Sequence, residues 1–155
     1  ARRPTKSTTT LGAAAKKLQA TVKGMQVILA PKLGAEWPGT GGRFAGLCKA
    51  EAGQPDHLLV FADLGVSANH NDAIARVKAY RGGGHDDWDL AEMNEGALCY
   101  ATSKEHFQKD WYWLKRPPAD DGGYAWIQGF LYGNQFWILK SNDYRVFAVR
   151  RLPIN

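Results

Sequence analysis

The sequence predicts an α+β domain, and three observations carry that prediction. Short aromatic and β-branched runs bounded by turn residues gather towards both ends of the chain's body, two stretches of helical spacing lie between them, and no apolar run approaches the length that spans a bilayer. At 155 residues the chain is one domain by length, long enough to bury about two thirds of its unfolded surface. Its 45% hydrophobic and 12% aromatic content belongs to a globular protein.

The elements follow in order. Residues 1–10 (A-R-R-P-T-K-S-T-T-T) predict an extended arm that orders only against a partner. Leu11, Ala15, Leu18, Val22 and Met25 share one helical face, with Thr10 as N-cap and Gly24 near the end. Gln26 to Ala30 predicts a strand stopped by Pro31. After a glycine- and proline-rich loop, 43–50 and 57–62 predict a hairpin, with Asp63-Leu64-Gly65 leaving its second strand. Asn69 or Asn71 then caps a helix that turns Ala73, Ile74, Val77 and Tyr80 inward and ends at Gly82-Gly83-Gly84. A second helix is expected over 91–101, with Met93, Ala97, Leu98 and Ala101 inward. The remainder, from Trp111 to Leu152, predicts an antiparallel meander punctuated at Gly122-Gly123, Gly133-Asn134 and Ser141-Asn142-Asp143.

Charge divides the chain. Through Lys32 there are seven basic residues (Arg2, Arg3, Lys6, Lys16, Lys17, Lys23, Lys32) and no acid, which leaves thirteen basic and fifteen acidic residues, a net of −2, for the rest. The basicity belongs to an N-terminal arm, which either docks on an acidic neighbour or nucleic acid or is a solvated tail. We place the boundary at 24, with 1–24 as arm and helix and 25–155 as the body. Arg2, Arg3 and Lys6 are the expected anchoring residues. The start shows no apolar signal region, and a leading alanine fits synthesis in a cytoplasm followed by removal of an initiator methionine.

Familiar chemistries find little support. Cys48 and Cys99 match no metal spacing, and buried free thiols are expected over a disulfide. His85-Asp86-Asp87 and the pair His70 and Asp72 lack ligand spacing on a defined element, so no metal and no cofactor is expected. The three glycines follow a helix and lack the lysine and hydroxyl residue of a phosphate loop. No local cysteine or serine with histidine marks a nucleophile, and no catalytic residue is expected.

The aromatic segment remains. Four of the six tryptophans lie within it. Strand alternation would turn Trp111, Trp126, Phe130, Phe147 and Val149 inward, while Tyr132, Asn134, Phe136, Trp137, Asn142 and Tyr144 flank turns. Tyrosine, tryptophan and asparagine suit a recognition face, and the rings equally suit a compact core.

One series of motifs resembles a known family. G-G-H-D-D-W-D-L (Gly83–Leu90), E-x-x-E-G-A-L-C-Y-A (Glu92–Ala101), F-x-K-D-W-Y-W (Phe107–Trp113), Y-A-W-I-Q-G-F-L-Y-G-N-Q (Tyr124–Gln135) and K-S-N-D-Y-R-V-F-A-V-R-R-L (Lys140–Leu152) occur in order. From Arg43 onward the chain is similar to uncharacterised bacterial and phage domains related to the formylglycine-generating branch of the C-type-lectin fold, and to the variable proteins of diversity-generating retroelements. The resemblance implies a C-type-lectin-like fold with a scaffold of Ala125, Trp126, Phe130, Gly133, Lys140, Ala148, Val149 and Arg150. The expected ligand-binding set is Trp113, Tyr132, Asn134, Phe136, Trp137, Asn142 and Tyr144. The cysteine pair of the formylglycine-generating enzymes and the acidic cluster of calcium-dependent lectins have no counterpart, so neither activity is implied.

The resulting expectation is a non-enzymatic phage or prophage virion surface protein. It would bind a host-surface receptor (protein or glycan) or a neighbouring virion protein through its C-terminal aromatic face. A homo-oligomer is expected and membrane insertion is not, with nucleic acid reached only through the arm. The alternative is a capsid decoration or cement protein whose aromatic segment packs against shell neighbours or other copies.

Overall fold

The computed structural model describes residues 30–51, 53–117 and 122–154. The expected arm and first helix, with Arg2, Arg3 and Lys6, lie outside the described residues, as does the expected strand apart from Ala30. The described residues form a mixed α+β fold around one seven-stranded sheet. The strands are β1 (Glu36–Trp37), β2 (Gly42–Cys48), β3 (His57–Ala68), β4 (Trp111–Trp113), β5 (Tyr124–Gly129), β6 (Gln135–Leu139) and β7 (Tyr144–Pro153). Helices α1 (His70–Ala79) and α2 (Met93–Ser103) separate β3 from β4.

The sheet order is β1-β2-β3-β7-β4-β5-β6, antiparallel except where β4 lies parallel to β7. The expected meander is therefore corrected: β7 does not return beside β6 but inserts between β3 and β4. Composition explains this, because Val146, Phe147, Ala148 and Val149 are all buried, and only a central strand is covered on both faces. Alternation along the strands then builds two cores. Leu58, Val60, Trp113, Ile127, Val146 and Ala148 face α1 with Ala73, Val77 and Trp88. Leu59, Phe61, Tyr112, Phe147, Val149 and Phe130 face α2 with Cys99 and Phe107.

The hairpin of β2 and β3 forms as expected, with Cys48 opposite His57 and a register shift between Phe44 and Gly46. β3 runs further than expected. Gly65 turns at φ 71°, its N–H donates to Asp63 Oδ1, and after a register shift against β7 the strand resumes at Ser67.

Asn69 is the α1 cap, accepting from the Asp72 N–H at 2.9 Å. Ala73 and Val77 are buried, but Ile74 is exposed and Tyr80 lies past the end, edge-on to Trp88. α2 bears out half of its expected inward face, since Met93 and Leu98 pack against the second core and the two alanines do not. Ala97 and Ala101 are exposed, and Glu95, Gly96, Cys99 and Ser103 point inward. A Cβ at Gly96 would lie 2.8 Å from Leu114, so the helix approaches the sheet along its glycine rather than its alanines.

Candidate recognition site

The turn between β5 and β6 is built outward from a buried anchor. Phe130 is 3% exposed and stacks on Phe107 at 3.9 Å, with Tyr112 edge-on at 5.0 Å. With that ring fixed, the next two residues are pushed into solvent, and Tyr132 is 81% exposed. Gly133 closes the turn at φ 82°, and a Cβ there would meet the Tyr100 ring at 2.4 Å. Only glycine suits that position.

Two glutamines hold the base of the hairpin. Gln128 is fully buried and donates to the Gly129 carbonyl at 2.9 Å. Gln135 Nε2 bonds both Gln128 Oε1 and the Met93 carbonyl at 2.7 Å, tying β6 to the start of α2. These bonds satisfy polar groups that burial would otherwise leave costly.

Beside the turn lies a pocket of about 200 Å³ lined by Lys109, Asp110, Trp111, Gly129, Leu131, Tyr132 and Asn134. Gly129 keeps it open, since a Cβ there would stand 3.0 Å from both Asn134 Oδ1 and the Trp111 ring. Trp111 and Tyr132 offer ring surface, while Asp110, Asn134 and Lys109 offer acceptors and donors. An aromatic wall with a few polar groups is the usual make-up of a small-ligand pocket. Along β6 the apolar surface continues through Phe136, Trp137 and Leu139, each about half exposed. Trp137 meets Trp126 edge-on at 5.1 Å and stacks on Phe136 at 5.4 Å.

The seven expected ligand-binding residues therefore part company. Tyr132, Asn134, Phe136 and Trp137 are exposed and adjoin one another along the turn and β6. Asn142 and Tyr144 sit at the other end of β6 and are half-buried, with the Tyr144 ring edge-on to Trp113 at 5.3 Å. Trp113 is a correction. It is fully buried, its Nε1 donates to the Ala68 carbonyl at 2.7 Å, and no ligand reaches it without unfolding the strand. Its place in a W-Y-W run gave no hint of this, because alternation puts both tryptophans on one face and leaves depth undetermined. Conversely, Trp111, Lys109 and Asp110 line the pocket, and only their nearness to the turn in space reveals it.

A second cluster is hidden beneath α2. His57, Glu95 and Cys48 are buried, with donor atoms all within 4.8 Å of one another. His57 Nε2 faces Glu95 Oε2 at 2.8 Å and Nδ1 faces the Pro55 carbonyl at 2.6 Å. Both partners are acceptors only, so both ring nitrogens donate and the ring is an imidazolium. Glu95 also accepts from Arg151 Nε at 2.6 Å, Arg151 Nη2 at 2.8 Å and the Glu92 N–H at 2.8 Å. A carboxylate so fully engaged, beside a histidine whose two ring nitrogens both face acceptors, forms an ion-paired pin between β3, α2 and β7.

The titration of the pair follows from these contacts. Burial works against the His57 charge, but the Cys48 sulfur, Glu95 and the Pro55 carbonyl outweigh it and raise the ring to about 10. Burial likewise works against the Glu95 charge, while His57 and Arg151 bring it down to about 2. The pin extends outward, with Arg151 Nη1 and Lys115 Nζ each 2.8 Å from Asp89 Oδ2. Both cysteines are free and buried, and burial pushes the Cys99 thiol well above its ordinary value.

His85, Asp86 and Asp87 do not converge. His85 Nε2 donates to the Gly39 carbonyl at 2.7 Å, and Asp87 pairs with Arg150 at 2.6 Å. His70 is buried against Trp113, with Nε2 donating to the Leu114 carbonyl at 2.9 Å. No family model matches the chain, and no curated protein matches it. No helix among the described residues is long and apolar enough to cross a membrane.

Proposed function

We propose that the domain is a non-enzymatic recognition module whose binding site is the β5–β6 turn and its pocket, with Tyr132, Asn134, Phe136 and Trp137 as contact residues. Trp111 serves as the pocket's ring wall. The observation that carries this reading is the coincidence of a solvent-facing tyrosine, an adjoining pocket and the stacked, half-exposed pair Phe136 and Trp137 with Leu139 beyond them. Soluble proteins seldom leave so many large apolar side chains together on one edge without a partner. The tight buried ion pairs argue in the same direction, since His57, Glu95 and Arg151, all strongly shifted by their surroundings, are spent on holding α2 to the sheet rather than open to a substrate.

In this reading the body is of C-type-lectin-like type and stands on the surface of a phage or prophage particle. There it meets a host-surface receptor, protein or glycan, or a neighbouring particle protein. The motif series carries that part of the proposal. A structural role as a decoration protein, packed against shell neighbours or other copies, is favoured by one separate observation: β6 ends the sheet with no strand beside it among the described residues.

The two readings separate by experiment. The full chain is immobilised and tested against host-envelope fragments and a panel of soluble glycans, with Tyr132→Ala and Trp137→Ala beside it. The recognition reading expects retention that each substitution weakens by about 1–3 kcal/mol with the fold intact. Equal retention by all three proteins, or none, sinks it.

A further inference from the structure

We infer that β6 is a self-complementary edge, and that two copies of this chain pair antiparallel through it about a two-fold axis at Trp137. The inference does not depend on the ligand of the neighbouring pocket. It begins from a contrast between the two edges of the sheet.

At one edge, β1 has two residues, Glu36 and Trp37, and is followed by Pro38. A short strand bearing a charge and closed by proline is blunted against further pairing. At the other edge, β6 is Q-F-W-I-L, with no charge, proline, glycine or bulge, and its register with β5 is unbroken from Gln135 to Leu139. Unprotected edges of this kind pair with other strands.

The existing hydrogen bonds determine which backbone groups remain. The Gly129 N–H donates to the Asn134 carbonyl at 2.8 Å, and the Lys140 N–H donates to the Gly123 carbonyl at 3.0 Å. In an antiparallel ladder the N–H and C=O of one residue point to the same side and alternate along the strand. Asn134, Phe136, Ile138 and Lys140 thus turn their backbone groups towards β5. Gln135 and Trp137 turn theirs outward, as does the Leu139 N–H, where no strand among the described residues meets them, while the Leu139 carbonyl accepts from the Asn142 N–H at 3.1 Å in the turn that follows.

One register sets all three outward residues against outward residues at once. With Trp137 opposite Trp137 of the second copy, Gln135 falls opposite Leu139 and Leu139 opposite Gln135. Trp137 and its mate then exchange two bonds, and in each Gln135–Leu139 pair the Leu139 N–H meets a free Gln135 carbonyl, while the Gln135 N–H meets a Leu139 carbonyl shared with Asn142. A shift of two residues in either direction leaves one outward residue unmatched on each strand, and a shift of one sets outward residues against inward ones. Charge agrees, because this register puts Lys140 opposite Asn134 of the other copy and sets no like charges face to face. Directly opposed residues share a sheet face, so the Trp126–Trp137 contact would continue into its symmetry mate as a four-ring row.

The test uses the full chain. Sedimentation equilibrium across a range of concentrations is expected to show a reversible dimer. Amide exchange at Gln135, Trp137 and Leu139 should slow as the dimer fills. Leu139→Pro removes an outward N–H without touching the β5 ladder, and is expected to give a monomer with unchanged circular dichroism. Register is tested by Trp137→Cys, whose thiols would sit on the axis at about 5.5 Å between Cα atoms, within disulfide reach. Mild oxidation should cross-link it, while Tyr132→Cys should stay uncoupled. A monomer at every concentration overturns the inference. So does a dimer that survives Leu139→Pro, or one in which Trp137→Cys does not cross-link. Ligand retention by a monomeric Leu139→Pro protein would leave the recognition reading standing while this one is judged.

Discussion

His57 Nε2 lies 2.8 Å from Glu95 Oε2, and neither side chain is open to solvent. The pair joins the first residue of β3 to the inward face of α2, and Arg151 on β7 completes it. A helix whose outward alanines provide little apolar surface is therefore held by charge as well as by packing.

Stability should fall at both ends of the pH scale. The His57 value is raised in the folded chain, from 6.5 to about 10, so its contribution is full below 6.5 and lost as pH climbs through about 10. The Glu95 value is lowered, from 4.5 to about 2, so its contribution is full above 4.5 and lost as pH drops to about 2. Denaturant midpoints measured from pH 3 to 10 should show a plateau between about 5 and 6.5 with a decline on each side. A midpoint that stays flat from pH 7 to 10 would remove the imidazolium.

His57→Gln takes the cation from a buried pair and leaves Glu95 with Arg151 and the Glu92 N–H. Breaking a buried pair costs about 3–5 kcal/mol, and the lower part of that range is expected because the guanidinium remains. Chemical denaturation reads the loss, and the alkaline decline should vanish with it.

Both cysteines should be silent to a thiol reagent in the native state. Cys48 is 3% exposed and Cys99 fully buried, its thiol held protonated by the apolar surroundings. Labelling is expected only in denaturant, with two equivalents per chain, in line with two free thiols. Rapid labelling of Cys99 in buffer would contradict the packing of α2.

The sequence made the α+β class, the β2–β3 hairpin, the Asn69 cap and the exposure of Tyr132 and Trp137 legible, because each depends on neighbours within a few residues. The insertion of β7 beside β3 was not legible, since turn residues mark where strands end and say nothing about which strand lies next. The α2 face was read correctly at Met93 and Leu98 and misread at Ala97 and Ala101, for a related reason. Its inward side is set by Glu95 finding Arg151 and by Gly96 meeting Leu114, contacts made across the sheet that periodicity does not see. Trp113 and Trp111 share a face of β4, yet one is sealed beneath α1 and the other opens on the pocket. Depth of that kind is a property of the assembled layers.

Trp113→Phe tests that distinction. It keeps most of the ring volume but removes the Nε1 bond to the Ala68 carbonyl, leaving a buried acceptor without its partner. A loss of about 1–3 kcal/mol is expected in thermal or chemical unfolding. Retention on envelope fragments, measured below the midpoint, should be unchanged.

Gly129→Ala addresses the pocket itself. Gly129 is not among the positive-φ glycines, so its backbone accepts a side chain, whereas Gly133 at φ 82° does not. The added methyl would stand 3.0 Å from Asn134 Oδ1 and from the Trp111 ring, and both side chains border the pocket. They can yield by a few tenths of an ångström, at the expense of the space between them. The expected outcome is a folded protein with a small drop in melting temperature and weakened retention of ligand. Gly133→Ala, by contrast, drives a Cβ to 2.4 Å of the Tyr100 ring and should cost about 1–3 kcal/mol of stability. If Gly129→Ala binds as the parent does while Tyr132→Ala fails, the contact is made by the exposed rings alone and the pocket beside them is idle.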